Sequence, residues 1–188
     1  MSGKKLITKG VLQAIAVGGI LMGSALIPTL PMAAGGALKI WKEIKKLNQK
    51  DFGRIIKRLQ KQEMISLRVE GGRTLIEITE KGRRRLLEYD FENIELKSKK
   101  RDGKWHLVIF DIPEEKKNAR DSFRRKLLQL DCIKLQESVF ASAFPCKEEV
   151  DFLCHFLEIS DYVTIAKVDK IERGEQLIWK KYYDYGDD

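Results

Sequence analysis

Four cations recur within two helical turns of this sequence: Arg54, Lys57, Arg58 and Lys61. Spacings of three and four residues bring side chains together on a helix. A ridge of guanidinium and ammonium groups binds phosphate by neutralising it and releasing condensed counterions. Arg68 and Arg73 flank the pair Gly71 and Gly72, and these six residues together form a candidate surface for duplex DNA. The residues themselves suggest no catalytic or metal chemistry. There is no Gly-rich phosphate loop after a strand, no HExxH and no serine at a nucleophile elbow. Cys132, Cys146 and Cys154 have irregular spacing and no CxxC pair, unlike a zinc site or a disulfide framework. Cys154 and His155 are neighbours in sequence and point apart on a helix, so they do not pair as nucleophile and base. The thiols are expected to be buried or idle in a reducing cytosol. His106 falls in a predicted strand and His155 in a predicted helix, as packed or surface residues.

The elements that must position the six cations can be read from a change of period between Asn48 and Gly82. Phe52, Ile55, Ile56 and Leu59 recur at i, i+3, i+4 and i+7, one apolar face of a helix, and the four cations fall largely outside it. Asn48 is placed to cap that helix, with Asp51 in its first turn. After Glu63 the period becomes two: Ile65, Leu67 and Val69 alternate with polar residues, and Leu75 or Ile76 to Ile78 resume beyond the glycines. That is a hairpin on a glycine turn. A helix followed by a basic hairpin is the order of a winged helix, with the helix for the major groove and the hairpin as the wing. Thr79 is placed to cap a further helix reaching about Phe91, whose Arg83, Arg84 and Arg85 could touch the DNA backbone or form a solvated face.

Charge follows the same division. The chain of 188 residues has a formal net charge of +8; residues 1–104 carry 23 Lys and Arg against 11 Asp and Glu, and residues 105–188 carry 13 against 17. A field of positive sign attracts nucleic acid or an anionic membrane. The membrane reading arises because Gly10 to Leu38 holds no charged residue, and Val11 to Met32 lies behind Lys4, Lys5 and Lys9. Gln13, Gly18, Gly19, Pro28 and Pro31 interrupt that run. The favoured expectation is cytoplasmic, with a first helix from Lys5 to about Met22, an apolar connection from Gly23 to Gly36 and a second helix from Ala37 to Leu47. The alternative is a protein tethered to the membrane and facing the cytoplasm.

The run Lys97 to Lys104 has no apolar side chain and marks a linker, so the expected domains are residues 1–96 and 105–188. Trp105 to Pro113 reads as a central strand and Glu114 to Asp131 as a helix with Phe123, Leu127, Leu128 and Leu130 on one side. Cys132 to Gln136 and Ser138 to Phe144 read as strands, Lys147 to Ile159 as a helix and Asp161 to Val168 as the last strand. The order β-α-β-β-α-β predicts a ferredoxin-like sheet with both helices on one face. The fold class expected is therefore α+β, a winged helix followed by a ferredoxin-like domain. The tail ends in Trp179, Tyr182, Tyr183 and Tyr185, expected to pack on the domain or on a partner.

The run KWHLVIFDIPEEKKNARDSFRRKLLQLDCIKLQESVFASAFP, Lys104 to Pro145, resembles the central domain of PaaX-type transcriptional repressors. That domain is itself similar to the CRISPR adaptation endonuclease family called Cas-two. The matching features are the Trp before the first strand, the Phe-Asp-Ile-Pro that ends it, the basic helix, and Ser-Val-Phe in the third strand. The resemblance implies a DNA-binding transcriptional regulator, acting as a homodimer, that pairs a winged helix with a ferredoxin-like domain. The longer regulators usually carry a further C-terminal region that could hold an effector response. The CRISPR likeness implies an alternative, a metal-dependent endonuclease or adaptation component with Asp111 as Mg²⁺ ligand and catalytic carboxylate. Against it stands a structural role for Asp111, as cap of the helix that starts near Pro113.

Overall fold

The computed structural model describes residues 3–18, 20–22, 28–29 and 49–173, and the chain divides into two compact units, Met1–Glu92 and Asn93–Asp188. The predicted second helix at Ala37 to Leu47, the cap at Asn48 and the aromatic tail beyond Arg173 lie outside the described residues.

In the first unit, α1 spans Gly3–Gly18 and buries Val11, Leu12, Ala14 and Ile15. The apolar character of this part of the run is therefore used in a core. No helix among the described residues is long and apolar enough to cross a membrane. The helix expected to reach Met22 stops at Gly18, because Ile20–Met22 form β1 instead. This strand pairs antiparallel with β4 (Arg73–Ile78), Ile20 opposite Ile76, and with β2 (Pro28–Thr29) on its other side. Gly18 weakens the helix at its end, and the edge of β4 pairs with the backbone of β1.

The helix α2 covers Gln49–Lys61 and turns Phe52, Ile56 and Leu59 into the same core, with Ile55 half-buried beside them. Removing each of these side chains from water contributes about 1.5–3 kcal/mol. The chain leaves α2 through Glu63, at φ 59°, and enters β3 (Ile65–Glu70), which pairs with β4 in the register Ile65 to Ile78 and Glu70 to Arg73. Gly71 and Gly72 form the two-residue connection at φ 56° and 71°. Both angles are positive, as a type I′ hairpin turn demands. Thr79 caps α3 (Glu80–Glu92) as expected, its Oγ1 accepting from the Gly82 N–H at 3.1 Å and donating to the Glu63 carbonyl at 2.6 Å.

In the second unit, β5 (Trp105–Phe110) lies inside a four-stranded sheet with β6 (Ile133–Gln136), β7 (Val139–Ser142) and β8 (Val163–Val168). The order is β6-β7-β5-β8 with every pairing antiparallel. Together with α4 (Lys117–Gln129) and α5 (Lys147–Phe156), this is the strand order of a ferredoxin-like β-α-β-β-α-β domain. Phe123 of α4 meets Phe110 edge-on at 5.3 Å, and Phe140 stacks on Phe110 at 5.9 Å. Trp105, Ala141, Ala143 and Phe144 form a separate cluster with Leu107 and Ile133 beside it. Leu128, expected on the packed side of its helix, is 50% exposed. Phe123, Leu127 and Leu130 set the buried face by their spacing of four and three, and Leu128 lies a further 100° round the helix from Leu127.

The charged run Lys97 to Lys104 lies within the second unit and is bound to it along its length. The Lys97 N–H donates to Glu149 at 2.9 Å, Lys99 pairs with Asp131 at 2.7 Å, and Asp102 pairs with Lys167 at 2.7 Å.

Candidate nucleic-acid interface

The exposed side of α2 is cationic because its other side is committed to the core. Lys50, Arg54, Lys57 and Lys61 are all exposed and stand at i, i+4, i+7 and i+11, a single ridge opposite Phe52 and Leu59. Lys50 belongs to this ridge and was not among the residues singled out from sequence; the spacing of four, three and four is the signal that carries it. Arg54 is held by Asp51 at 3.2 Å, one turn earlier. Such an exposed pair contributes little to stability and opens at little cost when a phosphate competes.

Arg58 has a different position. It sits at the margin of the ridge and its guanidinium donates to Thr8 Oγ1 of α1, fifty residues away in sequence. It ties two helices together, which the sequence pattern did not show. Arg68 lies on β3, exposed, with its guanidinium 3.2 Å from Glu77 on β4. Arg73 is exposed beside the hairpin turn. In α3, Arg83 and Arg84 are exposed, whereas Arg85 is half-buried, stacks over Tyr89 at 4.3 Å and pairs with Glu88 at 2.5 Å. At the junction of α2 and β3, Lys81 holds Glu63 at 2.8 Å and keeps its carboxyl below the usual range, by hydrogen bond and by charge.

Several basic residues of the second unit are engaged within the fold. Arg120 donates to the Ile112 carbonyl at 3.1 Å and to Glu114 at 2.7 Å, Arg124 to the Glu137 carbonyl at 3.1 Å, and Lys116 to the Glu158 carbonyl at 2.5 Å. Asp111 is exposed at the end of β5, and its N–H donates to the Tyr162 carbonyl at 3.0 Å. The capping role expected for it is not found: neither the short 3-10 turn Glu114–Lys116 nor α4 is capped by a side chain. The residue preceding the 3-10 turn is Pro113, in extended conformation, and its ring offers no acceptor to the turn's amides. Among the described residues no group of three or more His, Cys, Asp and Glu could hold a metal ion.

Two further clusters carry perturbed groups. Asp102 accepts from Lys167, from His106 Nε2 at 3.2 Å and from the Lys104 N–H at 3.1 Å, across a turn in which Gly103 takes φ 77°. The hydrogen bond from Lys167 is the main reason its carboxyl lies well below the usual range; desolvation opposes this, and His106 and Lys104 add to it. His106 is buried opposite the buried Ser142 in the strand pairing. Ser142 Oγ accepts from the Phe144 N–H at 3.0 Å. The three cysteines are buried and none is in a disulfide. Burial pushes the Cys154 thiol up to about 12, and contact with Cys132 lowers that of Cys146.

The fold and its surface define an α+β protein of two units, one presenting a cationic helix ridge and a basic hairpin, the other a ferredoxin-like sheet. Residues 98–177 match the family model described as the PaaX protein central Cas2-like domain. That part of the chain is similar to the PaaX central domain, a likeness that suggests a transcription regulator in the general sense. No match to the chain is found among curated proteins.

Proposed function

We propose that the chain binds duplex DNA as a dimer and regulates transcription, as a repressor, by occupying a promoter. The observation that carries this reading is the ridge Lys50, Arg54, Lys57 and Lys61 on α2, exposed over its whole length and followed directly by a basic hairpin. The order α1, β1, β2, α2, β3, β4, with β1 paired to β4, supports a winged helix. In that arrangement α2 lies in the major groove, and Arg68 and Arg73 hold the backbone beside it. The ferredoxin-like unit pairs two copies and so sets the distance between half-sites. With its Mg²⁺-ligand role resting on a single exposed carboxylate, Asp111 has no part in this reading.

The test is the salt dependence of duplex binding by the full chain, followed by fluorescence anisotropy on a labelled duplex from its own upstream region. Each lysine that contacts a phosphate contributes about 0.9 to the slope of log affinity against log salt. Changing Lys50, Lys57 and Lys61 together to Ala should lower affinity at least about tenfold at fixed salt and reduce the slope by about 2–3. An unchanged slope would remove α2 from the interface.

A further inference from the structure

Between residues 49 and 173, four of the five glycines have a reason within the fold. Gly71, Gly72 and Gly103 take φ of 56°, 71° and 77°, and Gly82 has no room for a Cβ against the Met64 carbonyl. Gly53 has neither reason. It lies in the second turn of α2, and among the described residues nothing comes within 4 Å of where its Cβ would stand. Glycine in a helix gives up more backbone entropy on folding than alanine, so Gly53 weakens α2 with no gain inside the free chain. The residues around it say what the missing side chain leaves room for. Lys50 stands three positions before it and Lys57 four after, on the neighbouring turns. Both are exposed, and neither has an ion-pair partner among the described residues. A glycine that serves the crossing of two helices has a second small residue four positions away; those positions hold Gln49 and Lys57. The exposed side of α2, formed by Lys50, Arg54, Lys57, Gln60 and Lys61, carries no apolar side chain for a protein partner to cover.

We propose that Gly53 is the point at which α2 rests on base edges at the floor of the major groove, and that its missing Cβ sets how deep the helix sits. The inference rests on the DNA-binding reading above and names a residue on which sequence discrimination depends. An α-helix with its side chains is about 10–12 Å across, and the major groove is about 12 Å wide. The helix fills the groove, so the side chains that face the floor decide its depth. A position without a side chain lets the helix backbone come down to the bases, while Lys50 and Lys57 on either side reach the phosphates. The early turns of a recognition helix are the part that meets base edges, and Gly53 lies there. A methyl group at this position would hold the two surfaces apart by about the length of one C–C bond, roughly 1.5 Å. Hydrogen bonds from neighbouring side chains to the bases would then be out of reach, whereas contacts to phosphate, made by long flexible lysines, would persist.

The test is Gly53→Ala in the full chain, read by thermal melting and by anisotropy on two duplexes. One is enriched by the wild type from a random-sequence pool, and the other is an unselected duplex of the same length and composition. The thermal midpoint should rise by roughly 2–4 °C, because nothing crowds the added methyl group. Affinity for the enriched duplex should fall about tenfold or more, the scale of one lost base contact. The unselected duplex, held through its phosphates, should change by less than about twofold. A stabilised Gly53→Ala protein that binds the enriched duplex as the wild type does overturns the proposal. So does a destabilised one, which would give the glycine a role in the fold, and so does an equal loss on both duplexes, which would place Gly53 against the sugar-phosphate backbone. If the pool yields no enriched sequence while binding remains salt-sensitive, the chain reads no bases; the proposal then falls and the DNA-binding reading stands. A wild type that binds no duplex removes both readings together.

Discussion

Asp102 gathers Lys167, His106 and the Lys104 amide around one carboxylate at the entry to β5, and its pKa is depressed mainly by the hydrogen bond from Lys167. In the unfolded chain it titrates as an ordinary carboxyl, near about 4. The folded value is lower, so its stabilising contribution is complete above that pH and is lost as the pH falls towards the folded value. Asp102→Asn should therefore lower the thermal midpoint at pH 7, by roughly 2–4 °C for a loss of about 1 kcal/mol. The gap from the wild type should narrow below about pH 4. A constant gap between pH 3 and pH 7 in thermal melts would contradict this account. Residues of one charge differ sharply in role: Lys57 is exposed on the ridge, while Arg58, its neighbour in sequence, reaches Thr8 on another helix.

At the scale of elements, the first unit depends on how closely α3 approaches the end of α2. A Cβ at Gly82 would stand 2.1 Å from the Met64 carbonyl oxygen and 2.7 Å from Ile78 Cγ1. The nearer atom belongs to backbone, which cannot turn aside as a side chain can. Gly82→Ala should thus destabilise the unit by about 1–3 kcal/mol, as overpacking does, even though alanine is the better helix former by roughly 1 kcal/mol. Denaturant unfolding measures the sign directly, and a stabilised variant would show that the two elements can move apart. The same junction holds Thr79 between the Gly82 N–H and the Glu63 carbonyl, so capping and close packing act at one point.

At the scale of the whole molecule, the proposed dimer requires a surface on the ferredoxin-like unit. Ile109 is 39% exposed and lies on β5, in line with Leu107 and Trp105 on the side of the sheet away from Phe110 and Phe123. If that side pairs two copies, Ile109→Glu should turn a dimer into a monomer in sedimentation analysis. Duplex affinity should then fall by about 10²-fold or more, because two linked half-site contacts become one. A wild-type monomer, or a dimer untouched by Ile109→Glu, would exclude pairing through this face.

How much of this was legible in the chain itself depends on the range of the forces involved. Local periods determined the recognition-helix candidate, the hairpin on Gly71 and Gly72, the Thr79 cap and the order of elements in the second unit, since each follows from contacts a few residues apart. The PaaX likeness was legible between Lys104 and Pro145 for the same reason, as a run of adjacent residues. Tertiary structure alone decided the rest. Ile20 to Met22 became a strand because β4, more than fifty residues later, offers an edge. Asp111 does not cap because Pro113 takes the position before the 3-10 turn. Arg58 joined the packing because Thr8 lies beside it, and Lys50 joined the ridge because the core claims the opposite face of α2. Spacing states which side chains share a face, but only the folded chain brings the distant partner that settles what each of them does.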